Sequence, residues 1–436
     1  MNAAVRHLLS MMKLGSIGFG GGSAMIPVFE KELVQDRGVL DDETFVRHTV
    51  IANVTPGGLP TKLAALSGFH VGGTWTAVLS SIVAGLPGTI LAVGIVAFFG
   101  VLGPDAIRWV EYAAVGISAF IIVLLVEYIA KVWRTAPARR LAVGITLVTF
   151  VVSGLNPFVR VVGLLLGQEW APALPAMNAI QVILVALVLI AVVMTVRRPT
   201  PLPLVPVLTD PLRVRRYVIA GGVFAGLAVA AIGVSALVAG SGGGRLMALV
   251  ALSMLATFGG GPAYIAVADG FFVGSFVSAD VFYAQLVPVG NATPGPLITK
   301  LAAQVGFSYG LENVSPAAGV VLALCGLVVA ATVSGAVAMV VMAGYERIAG
   351  RGYMRRLQAY VVPVICGLLI TTAFSMTLAA VAIGGRADVG PTPMVWGMAV
   401  LVALLLAVHA RVNVPDVVFI LLAGALTVVV LGFVAG

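Results

Sequence analysis

Apolar residues gather in long runs along the chain, and the runs are of two kinds. Uninterrupted runs at about Trp75–Phe99, Trp109–Trp133, Leu141–Phe158, Ala179–Val196, Tyr217–Ala239, Ala317–Ala343, Leu357–Ile383, Met394–His409 and Val417–Val434 have roughly the length an α-helix needs to cross a bilayer. Four others are interrupted. Leu8–Phe29 and Leu246–Ala268 are broken by glycine clusters, Phe45–Gly72 by Thr55-Pro56-Gly57-Gly58, and Val281–Phe307 by Thr293-Pro294-Gly295-Pro296. Proline removes a backbone donor and glycine loosens a helix, so extended or unwound backbone is predicted at these breaks. At membrane depth such backbone survives only where protein or a water-filled cavity surrounds it. The runs are continuous rather than alternating, which excludes a closed barrel. The pattern predicts an all-α polytopic membrane protein with about 12–13 membrane segments, several of them discontinuous.

The interrupted runs occur as a pair. Residues Asn53 to Phe69 read NVTPGGLPTKLAALSGF and residues Asn291 to Phe307, 238 positions later, read NATPGPLITKLAAQVGF, with twelve of seventeen positions identical. The glycine clusters Phe19–Ala24 and Phe258–Ala263 precede them at an offset of 239. The expected organisation is a first repeat over 1–198, a proline-rich cytoplasmic linker over 199–212, a linking transmembrane helix over 213–240, and a second repeat over 241–436.

Composition agrees with the pattern: 60% of residues are apolar and only 10% are charged, against roughly 25% charged in soluble domains. The net charge of +8 does not signal nucleic acid, because the basic residues collect in short loops. Lys131–Arg140, Arg197–Arg216 and Arg347–Arg356 read as cytoplasmic by the positive-inside rule, and the poorly charged loops at Gly100–Arg108, Asn156–Met177 and Gly384–Pro393 read as external. Trp109–Trp133 then ends on the inner side, whereas its counterpart Leu357–Ile383 begins there. The two copies are expected to be inverted-topology repeats, whose paired discontinuous helices in secondary transporters form the substrate site. The N-terminus is expected to be retained and cytoplasmic, and the protein to lie in the cell's inner (plasma) membrane.

The breaks carry the candidate chemistry. Lys62 and Lys300 occupy equivalent places just after them, and a charge near the bilayer centre costs about 2.5–3.5 kcal/mol on insertion scales. Glycine-rich turns and helix N-termini offer backbone N–H donors that suit an oxyanion. The candidate substrate-binding residues are Gly20, Gly21, Gly22, Ser23, Asn53, Thr55, Gly57, Thr61 and Lys62 in the first copy. In the second they are Gly259, Gly260, Gly261, Asn291, Thr293, Gly295, Thr299 and Lys300. Two plainer readings stand beside this: the lysines snorkel to headgroups, and the glycine clusters are close-packing surfaces. Glu30 and Asp269 match under the repeat and are candidates for proton coupling, while Glu127 reads as an i,i+4 partner of Lys131.

The run Phe19-Gly20-Gly21-Gly22-Ser23-Ala24-Met25-Ile26-Pro27 with Glu30, followed about thirty residues on by the Thr-Pro-Gly motif, resembles the paired signatures of the chromate ion transporter family, in its long two-repeat form. The resemblance implies movement of chromate, with sulfate as a close tetrahedral analogue, and a small oxyanion and the lipid bilayer as partners; a homodimer stays open. A transporter of another small solute is the alternative. A membrane-embedded enzyme is less favoured, since no nucleophile and base set, phosphate loop or metal constellation is visible. No catalytic residue, cofactor, metal or nucleic acid is expected, and Cys325 and Cys366 read as buried small hydrophobes.

Overall fold

A computed structural model describes residues 3–18, 25–99, 102, 104–177, 179–196, 211–258, 261–349, 353–412 and 414–435. Among these the regular structure is helical, with only an isolated bridge between Val273 and Val277. In chain order the helices of the first copy are α1 (Ala3–Ile17), α2 (Ile26–Glu30), α3 (Asp42–Val54), α4 (Leu59–Phe99), α5 (Pro104–Thr135), α6 (Arg139–Leu165) and α7 (Ala179–Val196). Then follow α8 (Pro211–Ala256), α9 (Gly261–Phe272), α10 (Ala279–Val281), α11 (Val287–Ala292), α12 (Leu297–Asn313), α13 (Pro316–Ala349), α14 (Tyr353–Arg386), α15 (Pro391–His409) and α16 (Asp416–Ala435). π-Helical turns at Lys31–Asp36 and Phe282–Leu286 extend α2 and lead into α11.

The chain is a multi-pass membrane protein. Eight described helices are long and apolar enough to cross a membrane. Two of them exceed a single crossing: α4 has 41 residues and α8 has 46, about 60–70 Å at 1.5 Å per residue. Each turns at a glycine with positive φ, Gly73 (φ 75°) in α4 and Gly240 (φ 61°) in α8, where an L side chain would be strained. Dividing them there, and counting the interrupted pieces, accounts for the larger number of segments expected from the sequence.

The interrupted elements recur at the repeat offset. α1 and α2 correspond to the second half of α8 and α9, α3 to the stretch from α10 to α11, and the first part of α4 to α12. The proline-rich linker lies almost wholly outside the described residues, which resume at Pro211.

The helices pack into two compact units, and each draws on both copies. Unit 1 comprises Met1–Val93, Ala186–Tyr264 and Pro294–Val361; unit 2 comprises Gly94–Val185, Ile265–Thr293 and Val362–Gly436. In unit 1, Met11, Leu14, Met25, Phe29, Leu63 and Ala84 form one apolar cluster, and Phe224, Tyr217, Ala77, Leu66 and Met339 another. α12 is its innermost element, with Leu297 through Ser308 all buried. In unit 2, α5 packs on α16 through stacked Phe120 and Phe419 rings (5.3 Å). The Thr427 hydroxyl donates to Tyr112 O at 2.7 Å and accepts from Gly116 N at 3.1 Å.

Candidate functional site

The two Thr-Pro-Gly breaks fold alike, bond for bond. Thr55 and Thr293 leave the α region at the ends of α3 and α11 with (φ, ψ) of (−96°, 152°) and (−99°, 149°). Their hydroxyls turn back onto the preceding helix, Thr55 to Ile51 O at 2.7 Å and Thr293 to Val289 O at 2.8 Å. The Asn53 and Asn291 amides likewise donate to Thr49 O (3.0 Å) and Val287 O (2.8 Å). Past the break, Thr61 donates to Gly58 O at 2.8 Å and Thr299 to Pro296 O at 2.9 Å, bracing the first turns of α4 and α12. Each of these repeated Asn and Thr positions thus bonds to local backbone in both copies.

The glycines of the breaks reach further. Gly57 N donates to Thr257 O at 2.9 Å and Gly295 N donates to Gly18 O at 2.6 Å. Gly57 and Gly295 are equivalent at the offset of 238, and Gly18 and Thr257 at 239. The break of each copy therefore clamps the carbonyl that stands just before the glycine cluster of the other copy, and both clamps lie in unit 1. A second bond holds the first break, from Gly58 N to Ser334 Oγ at 3.0 Å. The break amides, which the sequence reading assigned to an anion, are bonded within the protein.

Lys62 and Lys300 are buried, 1% and 2% exposed. The Lys62 ammonium donates to Thr55 O (2.7 Å), Thr55 Oγ1 (3.2 Å) and Pro56 O (3.3 Å). It thus returns from the first turn of α4 to the carbonyls that the end of α3 leaves exposed. The stem of Lys300 passes beside Gly88 of α4, where any larger residue would meet the Pro294 carbonyl. Both lysines are thus buried in protein rather than exposed at its surface.

Of the other sequence candidates, Gly20, Gly21, Gly22, Ser23, Gly259 and Gly260 lie outside the described residues. Gly261 is buried and opens α9. Glu30 ends α2 in unit 1, whereas Asp269 lies in unit 2.

Two charged groupings lie away from the breaks. Glu32, 2% exposed, is paired with Lys13 of α1 and with Arg37 at 3.2 Å. The π-helical turn explains the second pairing, because it brings residues five apart together, as in the Arg37 N to Glu32 O bond of 3.1 Å. Burial raises the Glu32 carboxyl, but hydrogen bonds from Lys13, Ser10 and Arg37 outweigh it and hold the group below the usual carboxylate range. A depressed folded-state value contributes stability that is present above the unfolded value and lost as pH falls through the folded one. Glu32→Gln is therefore expected to lower stability by about 1–3 kcal/mol at neutral pH and to lose part of the acid sensitivity. Melting curves in detergent between neutral and acidic pH check this; identical curves for variant and parent refute it.

The second grouping corrects the expected pairing of Glu127 with Lys131. Glu127 Oε1 is 2.7 Å from His409 Nδ1, and His409 Nε2 is 3.2 Å from Asp416 Oδ1. One imidazole joins α5, α15 and the start of α16, with Phe120 and Phe419 edge-on to it.

Comparison with known proteins decides the family. The sequence pattern of the chromate transporter family matches residues 5–209 and 244–429, and each matched stretch contains one Thr-Pro-Gly break. The chain belongs to the chromate transporter family. Two relatives from Bacillus subtilis (strain 168) are similar to parts of it. The uncharacterized transporter YwrB is 38% identical over 98 residues, 22% of this chain and 50% of the relative. The uncharacterized transporter YwrA is 37% identical over 68 residues, 16% of this chain and 38% of the relative. The chain thus spans half or less of the length of these relatives. No solved structure matches the chain.

Proposed function

We propose that this protein is a secondary transporter of a tetrahedral oxyanion, chromate or its analogue sulfate, that works by alternating access in the cell's inner membrane. The observation that carries the reading is the crossed clamp. Gly57 holds the carbonyl before one glycine cluster and Gly295 the carbonyl before the other, while a buried lysine follows each break. Gly20, Gly21, Gly22 and Ser23 in one copy and Gly259, Gly260 and Gly261 in the other follow the clamped carbonyls in sequence, and in this reading their backbone amides are the donors for the anion. In the same reading Lys62 and Lys300 supply the positive charge. A lysine is a compact point charge rather than a bidentate fork, which favours release as well as capture. Equivalent breaks clamped crosswise are what inverted repeats about an axis in the membrane plane produce, and switching such clamps between copies is a route to alternating access.

Uptake of labelled chromate and sulfate into proteoliposomes, with and without a proton gradient, tests the reading. Saturable flux of either anion supports it, and leak-level flux of both overturns it. Orientation has its own check. With the N-terminus and the loops Arg134–Arg140, Arg197–Arg216 and Arg347–Arg356 cytoplasmic, single cysteines there are expected to resist a membrane-impermeant reagent in intact cells, while one in Gly384–Pro393 reacts. Reaction of both sets from outside would remove the inverted arrangement.

A further inference from the structure

We propose that one face of α12, Lys300–Gln304–Ser308, is the path of the oxyanion through the second copy, and that Gln304 is its contact one turn beyond Lys300. The inference rests on the oxyanion reading above and adds a residue to it. Positions four apart on a helix lie on one side, so these three residues form a single polar stripe on the innermost helix of unit 1. All three are buried, and Gln304 is 0% exposed. Both polar atoms of its amide lack a hydrogen-bond partner among the described residues. A buried amide left unpaired at nitrogen and oxygen is costly, so its place inside a fully buried stretch of α12 calls for a ligand.

The rest of α12 is used differently. Ala302, Ala303, Gly306 and Gly310 pack against α13 at Gly326, Leu322 and Gly319, on another side of the helix from the stripe. The first copy does not have the stripe: the matching positions are Lys62, Leu66 and His70, and Leu66 is packed in the apolar cluster around Phe224. The polar path is therefore a property of the second copy alone. Chemically, the ammonium of Lys300, the two amide N–H groups of Gln304 and the hydroxyl of Ser308 are successive donors for an anion that carries several acceptor oxygens.

The test is Gln304→Leu, which installs the residue of the first copy and removes the unpaired amide, so the fold is kept. In proteoliposomes the apparent KM for chromate or sulfate is expected to rise about tenfold with the maximal rate little changed, and the melting temperature to stay level or rise. In a chain whose buried Cys325 and Cys366 are replaced by alanine, Gln304→Cys is expected to react with an anionic thiosulfonate and to be protected by sulfate. An unchanged KM in Gln304→Leu, or no protection by sulfate, overturns the inference while the parent still transports. If the parent moves neither anion, the oxyanion reading falls and takes this inference with it.

Discussion

Replacing Gly57 or Gly295 by alanine is expected to cost the protein its packed break and with it all transport. Both glycines sit at positive φ, 98° and 91°, where a residue with a Cβ carries strain of about 1–3 kcal/mol. Space is also lacking. A Cβ on Gly57 would stand 2.7 Å from Ser334 Oγ and 3.1 Å from Ser334 Cα, and one on Gly295 would stand 2.9 Å from Gly15 O and 3.4 Å from Gly88 Cα. Overpacking of this kind adds about 1–3 kcal/mol, and the backbone shift that relieves it would pull Gly57 N from Thr257 O or Gly295 N from Gly18 O. Ser334 cannot simply swing aside, because its hydroxyl accepts the Gly58 N–H.

Other glycines separate strain from crowding. Gly38 also has positive φ, 57°, but nothing lies within 4 Å of its would-be Cβ, so Gly38→Ala is expected to cost strain alone. Gly94 has open space and no positive φ, and Gly94→Ala in a helix should be neutral or slightly stabilising. Melting in detergent and proteoliposome flux should rank the variants Gly94, Gly38, then Gly57 and Gly295 by increasing damage. Melting of Gly57→Ala and Gly295→Ala at the parent's temperature would show that the crossed clamp does not hold the fold.

What the sequence made legible follows from what leaves a local trace. Proline and glycine announce the breaks at Thr55–Gly58 and Thr293–Pro296, and the offset of 238 pairs them, because backbone constraints are written in adjacent residues. The partners of the break amides left no trace. Nothing near Gly57 points to Thr257, 200 positions away, since a carbonyl acceptor has no residue type of its own. Glu127 shows the same limit: its nearest cation in sequence is Lys131, but its partner is His409, 282 positions on. Glu32 shows the limit in part: Arg37 is near it in sequence and the π-helical turn brings the two together, but no local spacing marks Lys13, 19 positions back. The packing units were hidden for a related reason. Repeats are read along the chain, whereas one of the boundaries between units falls between Thr293 and Pro294, inside a motif.

Lys62 and Lys300 are where charge, fold and transport meet, and Lys62→Gln and Lys300→Gln are expected to separate them. From insertion cost alone, neutralising a buried lysine should stabilise by about 2.5–3.5 kcal/mol. For Lys62 the structure supplies an opposing effect. Its ammonium serves Thr55 O and Pro56 O, and each buried carbonyl left without its donor costs about 1–3 kcal/mol. A glutamine amide can still donate to one of them, so the two effects nearly cancel and the melting temperature of Lys62→Gln should stay close to that of the parent. On the proposed anion site, transport is expected to respond to the lost charge, which nothing replaces. The loss of a charge-assisted hydrogen bond, about 1.5–3 kcal/mol, corresponds to a tenfold to hundredfold weaker apparent affinity for chromate or sulfate. The double variant should be weaker than either single one. A purely structural role for Lys62 predicts a different pattern, in which lost flux comes with lost thermal stability and the apparent KM of the surviving protein is unchanged. Affinity equal to the parent's in both single variants and in the double one would take the lysines out of the anion site and leave the glycine-cluster amides to bind the anion alone.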